Sequence, residues 1–444
     1  LKFVYMAECN RDQAEDQDAT QNAMKISNNS LSCAQASKFN ALYNKTAHSS
    51  LTSNCRVTSN YGSANNEKLL CGNRHYWGYS VVVNNIISIC SNTDYANLER
   101  VMNQYQLKKP SVEDVLECIR HSTIQYWSNT RVDEVLRWVV ERLTPLQRAA
   151  FVYIGDMYHI AKHNPSMMRK FLGRMSAYPS NWDDYQNLEE RARVWKSVPE
   201  DILFLAAQIM DTETAGVKLS DLNSTKLSRD DLVKRGDEMD HKEKVICCIM
   251  DNVMQTMLEY SSFIHTFFTT EHLPASVSYF PESIRQTVVT GDTDSTIFTV
   301  QDWVSWFFDG RIGFSREDNA LAATVIFISA QAIIHVLATM SANIKVAKEN
   351  LFTIAMKNEY KFPVYVPTQV AKHYWAYKSC QEGIVFKEPE LEKKGVHLKN
   401  SNAPKIINQR AEEMMIALLA DYYEHGKISA AKYIRWVLEP EKEI

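Results

Sequence analysis

The hydrophobic pattern is helical over most of the chain. Between residues 99 and 275, apolar side chains recur every three or four positions in four windows: Val112 to Ile119, Val132 to Leu143, Leu146 to Ile160 and Val245 to Phe268. That spacing matches the α-helical turn and predicts amphipathic helices. Phe267 and Phe268 are expected to close the last of these on the core. The stretch from Ala320 to Ile344 is strongly apolar, interrupted by Ser329, Gln331, His335 and Ser341. It predicts a core helix under a sheet rather than a membrane span. Ala411 to Tyr423 and Ala430 to Val437 predict amphipathic packing helices near the carboxyl end. Trp303, Trp306, Phe307 and Phe308 read as core or interface residues rather than base-stacking ones.

Strand signals are fewer. Tyr79 to Ile89 is rich in Val and Ile and predicts a strand or hairpin, preceded by a polar turn from Thr58 to Asn66. Val288-Val289-Thr290-Gly291 and Thr296-Ile297-Phe298-Thr299-Val300 predict two strands joined by the turn Asp292-Thr293-Asp294-Ser295. The expected class is therefore α+β, with an antiparallel sheet and a large helical portion.

The turn carries candidate chemistry. Asp292 and Asp294 stand one residue apart, so both can reach one point. Hard cations such as Mg²⁺ prefer carboxylate oxygens and share them with substrate phosphates. The same tripeptide also occurs in ordinary turns and calcium loops. Near the amino end, residues 1–45 read as mostly helical. There Asp18, Gln21, Lys25, Asn29 and Ser32 are spaced to form one polar stripe. Lys25 offers a compact positive charge suited to a phosphate, and Asn29 lies one turn on. A solvated helix face has the same pattern. His159 and His163 are spaced i,i+4, but no Glu follows His159 as a zincin would require. Asp237, Glu238, Asp240 and Glu243 beside Lys242 and Lys244 read as a solvated charged loop or helix start.

Taken in order, these elements resemble family B DNA polymerases. Lys25-x-x-x-Asn29-Ser30 is similar to the family's fingers motif, although Ser32 and Cys33 stand where Tyr-Gly is common. Gly291-Asp292-Thr293-Asp294-Ser295 is similar to the palm hairpin, with Thr290 where a Tyr commonly precedes it. Glu359-Tyr360-Lys361 followed by Lys372-His373-Tyr374 resembles the primer-gripping segment, with Ala371 in place of its first lysine. Lys394-Gly395 through Lys399 to Pro404-Lys405 resembles a further thumb motif, with Asn402 near the usual Asp. The resemblance implies template-directed nucleotidyl transfer assisted by two Mg²⁺ ions about 3.5–4 Å apart. It implies that Asp292 and Asp294 are catalytic metal ligands. It also implies that Lys25, Asn29 and Ser30 bind the nucleoside triphosphate, and that Lys372, Tyr374, Lys394, Lys399 and Lys405 grip primer–template DNA. The segments expected on this basis are a second fingers helix (1–45), part of the palm (46–98), a helical insertion (99–275), palm with the metal hairpin (276–350) and a mostly helical thumb (351–444).

Composition narrows the picture. The 444 residues are 45% hydrophobic and 23% charged, enough for two or three cored segments. Net charge is −4, so the chain is not uniformly basic, and any grip on DNA must be local. Residues 393–410 meet that need with Lys393, Lys394, Lys399, Lys405 and Arg410 and no acid. Nine cysteines without a Cys-x-x-Cys pair suggest neither a zinc site nor a disulfide framework, which fits a reducing compartment. No signal peptide is evident.

Two features complete the expectation. Asn29 and Asp292 are 263 residues apart, far more than the family's usual several tens. The family's other palm carboxylate motif, its exonuclease motifs and its first fingers helix have no counterpart in the chain. A split polymerase explains both, with a second polypeptide supplying the amino-terminal, exonuclease and first palm parts. A sliding clamp is a further possible partner, and no membrane is involved. Such divided enzymes suggest a large bacteriophage replicating in the cytoplasm of its bacterial host. The initial Leu1 fits either a processed fragment or a non-AUG start. A non-catalytic DNA-binding or scaffolding subunit derived from a polymerase is the alternative, and an unrelated helical adaptor a third.

Overall fold

A computed structural model of the chain describes residues 11–122, 130–178, 199–211, 241–272, 284–291, 295–356, 358–370, 372–395 and 405–438. Two long helices come first, α1 (Arg11–Ala36) and α2 (Lys45–Cys71), packed on each other. Asn44 caps α2 by accepting the Ala47 N–H, and Gly72 ends it at φ 68°. A side chain at residue 72 would be strained there and would also collide with the His159 ring. The polar turn expected at 58–66 is thus a correction: these residues are the middle of α2. Its last turns bury Asn65, Asn66, Glu67 and Lys68, a run that reads as solvated in the sequence.

The strand expected at Tyr79–Ile89 is also corrected. That segment is helix α3 (Tyr79–Ser91), and it buries Val82, Ile86 and Ile89. Spacings of four and three place those side chains on one helical face, and packing outweighs β-branched propensity. The helices expected between 99 and 275 are present among the described residues. They are α4 (Tyr95–Gln104), α5 (Val112–His121), α6 (Thr130–Glu141), α7 (Pro145–Tyr153), α8 (Met157–His163), α9 (Pro165–Met175), α10 (Glu200–Met210), α11 (His241–Glu259) and α12 (Ser261–Phe267). Capping boxes at Ser111/Asp114 and Thr144/Gln147 start α5 and α7. The window from Leu146 to Ile160 divides into α7 and α8 at Gly155, where φ is 70°. A continuous buried cluster runs from Leu69 to Ala332, so the helices of 99–275 share a core with the segments on either side.

Strands β1 (Val288–Gly291) and β2 (Thr296–Phe298) pair antiparallel, with a bulge between Val288 and Thr290. Next come α13 (Gln301–Phe307) and the long helix α14 (Arg316–Asn343), begun by a Ser315/Asp318 capping box. Helix α14 is long and apolar enough to cross a membrane, but 67% of its most apolar window is buried. It packs against α2, α9, α10 and α13, as expected of a core helix.

The carboxyl-terminal part departs from the mostly helical expectation. It opens with a four-stranded antiparallel sheet, β3 (Tyr360–Lys361), β4 (Val364–Pro367), β5 (Tyr374–Gln381) and β6 (Ile384–Lys394). Strands β3 and β4 pair with opposite ends of β5, and β6 pairs with β5 along its length. Helix α15 (Lys405–His425) lies against β4 and β5, and α16 (Ala430–Leu438) folds onto α15, as the amphipathic pattern predicts.

Candidate functional site

A cleft of about 1360 Å³ lies between the β1–β2 hairpin, α10, α14 and the β3–β6 sheet. Val289, Thr290 and Gly291 on one hairpin stem and Ser295 to Phe298 on the other line it. Lys372, Tyr374 and Lys394 line it from the sheet. Three residues expected to grip DNA therefore share one cavity with the stems of the expected metal turn. Tyr374 is buried at the start of β5, where it pairs with both Pro367 and Lys394. Its ring sits 5.0 Å from that of Tyr365. Burial, with Glu392 nearby, pushes its hydroxyl up to about 12, so it stays a neutral donor. Lys372 is exposed at φ 65°, and Lys394 is exposed at the end of β6.

Other expected site residues are placed less fully. Asp292 and Asp294 lie outside the described residues, as does Lys399. Lys25, Asn29 and Ser30 are all in helix α1, but only Ser30 among them has a described side chain, and it is exposed. Lys405 begins α15. The hairpin stems themselves are well anchored. The Thr299 N–H donates to the Thr287 carbonyl at 2.9 Å, and the Thr287 hydroxyl donates back to the Thr299 carbonyl at 2.6 Å.

Helix α2 packs on both strands of the hairpin. Ser63 donates to Thr296 Oγ1 at 3.2 Å, and one turn on, the Glu67 carboxylate receives the backbone N–H groups of Gln286, Thr287 and Val288. Upstream on the same face stand Ser59 and Asn60, and one turn earlier Arg56. Arg56-x-x-x-Asn60 repeats the spacing of Lys25-x-x-x-Asn29, and Tyr61-Gly62 follows it directly. Gly62 packs tightly, since a Cβ there would come within 3.0 Å of Met356. Arg56 is exposed and Asn60 half-buried.

A second polar cluster lies in the helical body. Asp156 accepts from Arg74 at 2.7 Å and from His159 Nδ1 at 2.8 Å, and all three side chains are buried. Cys118, Asp156 and His159 bring potential ligand atoms within 4.8 Å of one another. A cation there would have to displace Arg74 from Asp156 and the proton that Asp156 and Cys118 hold on His159, so the donor set fits an ion network better than a metal. His163 faces Asp114 at 3.9 Å rather than joining His159 on a shared ligand.

Residues 5–444 match a family model described as "Divergent Family B DNA polymerase". No curated protein and no solved structure matches the chain.

Proposed function

The chain belongs to the divergent family B DNA polymerases, and from that premise we propose that it carries the catalytic hairpin, palm and primer grip of a template-directed DNA polymerase. One observation carries the reading: the hairpin stems and Lys372, Tyr374 and Lys394 border the same cleft. Oxygen donors from two carboxylates one residue apart suit Mg²⁺, so Asp292 and Asp294 would hold it. When bound, the ions supply charge neutralisation to the transferring phosphoryl group. The chain's own residues do the rest. The β1–β2 stems border the cleft on either side of the turn that carries the two aspartates in sequence. Lys372 and Lys394 neutralise primer–template phosphates, contacts that set register without reading sequence. Tyr374 presents a neutral hydroxyl beside them.

We assign the nucleotide-facing helix to α2, with Arg56 and Asn60 in the roles the sequence suggested for Lys25 and Asn29. Arg56 offers a planar fork matched to phosphate oxygens. The proposal includes a second chain that brings the other palm carboxylate and the exonuclease, with bacteriophage replication in a bacterial cytoplasm as the setting.

The test is primer extension by the assembled polymerase. Asp294→Ala is expected to lower the rate at least ~100-fold, the scale of losing one electrostatic stabiliser of the transition state, while primer–template binding persists. Unchanged synthesis removes the metal assignment and favours a scaffold. In the same assay Arg56→Ala is expected to raise KM for deoxynucleotides about tenfold, and Lys25→Ala to leave it within twofold. The reverse result returns the role to α1.

A further inference from the structure

We infer that Glu67 is a positioning residue for the metal hairpin, fixing the backbone that enters β1, the strand that leads in sequence to Asp292. The inference rests on the polymerase reading above. Glu67 sits in the last two turns of α2 with a fully buried side chain. Its Oε1 accepts the Thr287 N–H at 2.8 Å and the Val288 N–H at 2.7 Å. The Gln286 N–H reaches both oxygens, at 3.1 and 3.0 Å. Asn73 Nδ2 donates to Oε2 at 2.7 Å and to the Ile284 carbonyl at 3.0 Å.

Three consecutive backbone N–H groups converging on one carboxylate make a nest, an arrangement that binds anions strongly. Burying a carboxylate is costly unless hydrogen bonds replace its water, and here the N–H groups and Asn73 do so. The partners are not scattered. All three N–H groups belong to the segment that becomes β1, which ends one residue before Asp292. Four residues earlier on the same helical face, Ser63 holds Thr296 at the start of β2. Helix α2 thus grips both stems of the hairpin, one by a charge and the other by a hydroxyl. The carboxylate is the more extensive grip, because it accepts from three backbone amides and from Asn73, whereas the hydroxyl makes one bond to Thr296.

Glutamine at this position keeps the volume but loses the charge, and its amide nitrogen replaces the oxygen that accepts from Asn73 and Gln286, so the grip on 286–288 weakens without a cavity opening. The experiment compares Glu67→Gln with the parent in the assembled polymerase. The amides of 286–288 are expected to exchange hydrogen at least tenfold faster. The Mg²⁺ concentration for half-maximal primer extension is expected to rise at least threefold, with primer–template affinity within twofold. Should Glu67→Gln fail to fold, Asn73→Ala removes the neighbouring grip and leaves the carboxylate in place; a rise in the Mg²⁺ requirement is expected there too. An unchanged Mg²⁺ requirement, with only thermal stability lowered, overturns the inference and leaves Glu67 a structural residue. Asp294→Ala separates the two levels. If it is silent, the polymerase reading fails. If it is inactive while Glu67→Gln keeps the parent's Mg²⁺ dependence, the positioning inference alone fails.

Discussion

Asp156 is the residue around which the buried charges of the helical body are balanced. Arg74 donates to it from Nη2 and Nε and also reaches the carbonyls of Phe151 and Val152, at 2.8 and 3.0 Å. Burial works against a charge on His159, but Asp156 and then Cys118 outweigh it and hold the imidazolium to about 10. For Lys68 the balance runs the other way: burial first, then Arg74, outweighs the pull of Asp156 and Cys118 and brings its ammonium down to about 7. The two groups have opposite pH signs. A folded value above the ordinary 6.5 means that His159 contributes stability fully below pH 6.5 and loses it as pH rises toward 10. A depressed Lys68 makes the fold gain stability between pH 7 and 10.5. The wild-type profile mixes these, so the informative quantity is a difference. The gap in urea midpoint between wild type and His159→Asn is expected to be widest near pH 6 and to narrow steadily to pH 10. A gap independent of pH would mean that His159 is not charged in the fold. In the sequence His159 stood out only through His163, because Asp156 looks like a helix cap. It is one, accepting the His159 N–H at 2.9 Å, but its other oxygen carries the network.

Whole elements were legible where local signals and packing agree, and illegible where burial overrides them. The helices of 99–275 and α14 follow their apolar period, and capping boxes at Ser111, Thr144 and Ser315 begin three of them. The stems around Gly291 and Thr296 fold as the hairpin their composition predicts. Helix α3 was hidden by Val81-Val82-Val83 and Ile86-Ile87, whose β-branching masks a three- and four-residue burial spacing. Helix α2 was hidden because its buried Asn65 to Lys68 run has partners far away in sequence, such as Gln286 and Ser329. The turn joining β5 to β6 shows the reverse case, a local signal with a distant purpose. Gln381 pairs with Ile384, leaving Glu382 and Gly383 as a two-residue loop at φ 46° and 83°. Both positive angles suit the hairpin turn whose twist matches the strands, and Gly is favoured there. A Cβ on Gly383 would also fall 2.2 Å from the Phe204 ring on α10. Gly383→Ala is expected to cost at least about 1–2 kcal/mol from the left-handed angle alone, with the ring contact added. It is also expected to weaken primer–template binding, since the sheet that carries Lys372 and Lys394 seats on α10 through this turn. Unfolding and DNA-binding titrations of the variant check both; full stability would mean that the turn shifts without consequence.

At the scale of the molecule the question is whether one chain holds enough carboxylates for two-metal chemistry. Such a site needs oxygen ligands from more than one place to clamp attacking and leaving oxygens. The proposed function draws Asp292 and Asp294 from the hairpin turn. Other acids border the cleft, but those with described partners are already committed. Asp318 accepts from Ser315 and pairs with Arg311 at 2.9 Å to start α14. Asp201 accepts from Gln331 at 3.0 Å, fastening α10 to α14. Glu392 faces Lys378 across the sheet at 3.7 Å. Pulling any of these toward a metal would release a helix start, a helix pair or a strand pair. The further ligand is therefore expected to come from outside these three residues, and the second polypeptide of the proposed function is the source put to the test. Primer extension with Mg²⁺ and four deoxynucleotides tests this directly. The chain alone is expected to bind primer–template without extending it, and addition of the polypeptide that co-purifies with it from its native source is expected to start synthesis. Extension by the chain alone would place the third carboxylate within it, and substitution of Asp201, Asp318 and Glu392 in turn would then find it. Binding without synthesis in either preparation would instead assign the cleft to DNA holding, with Asp292 and Asp294 kept for a reason other than catalysis.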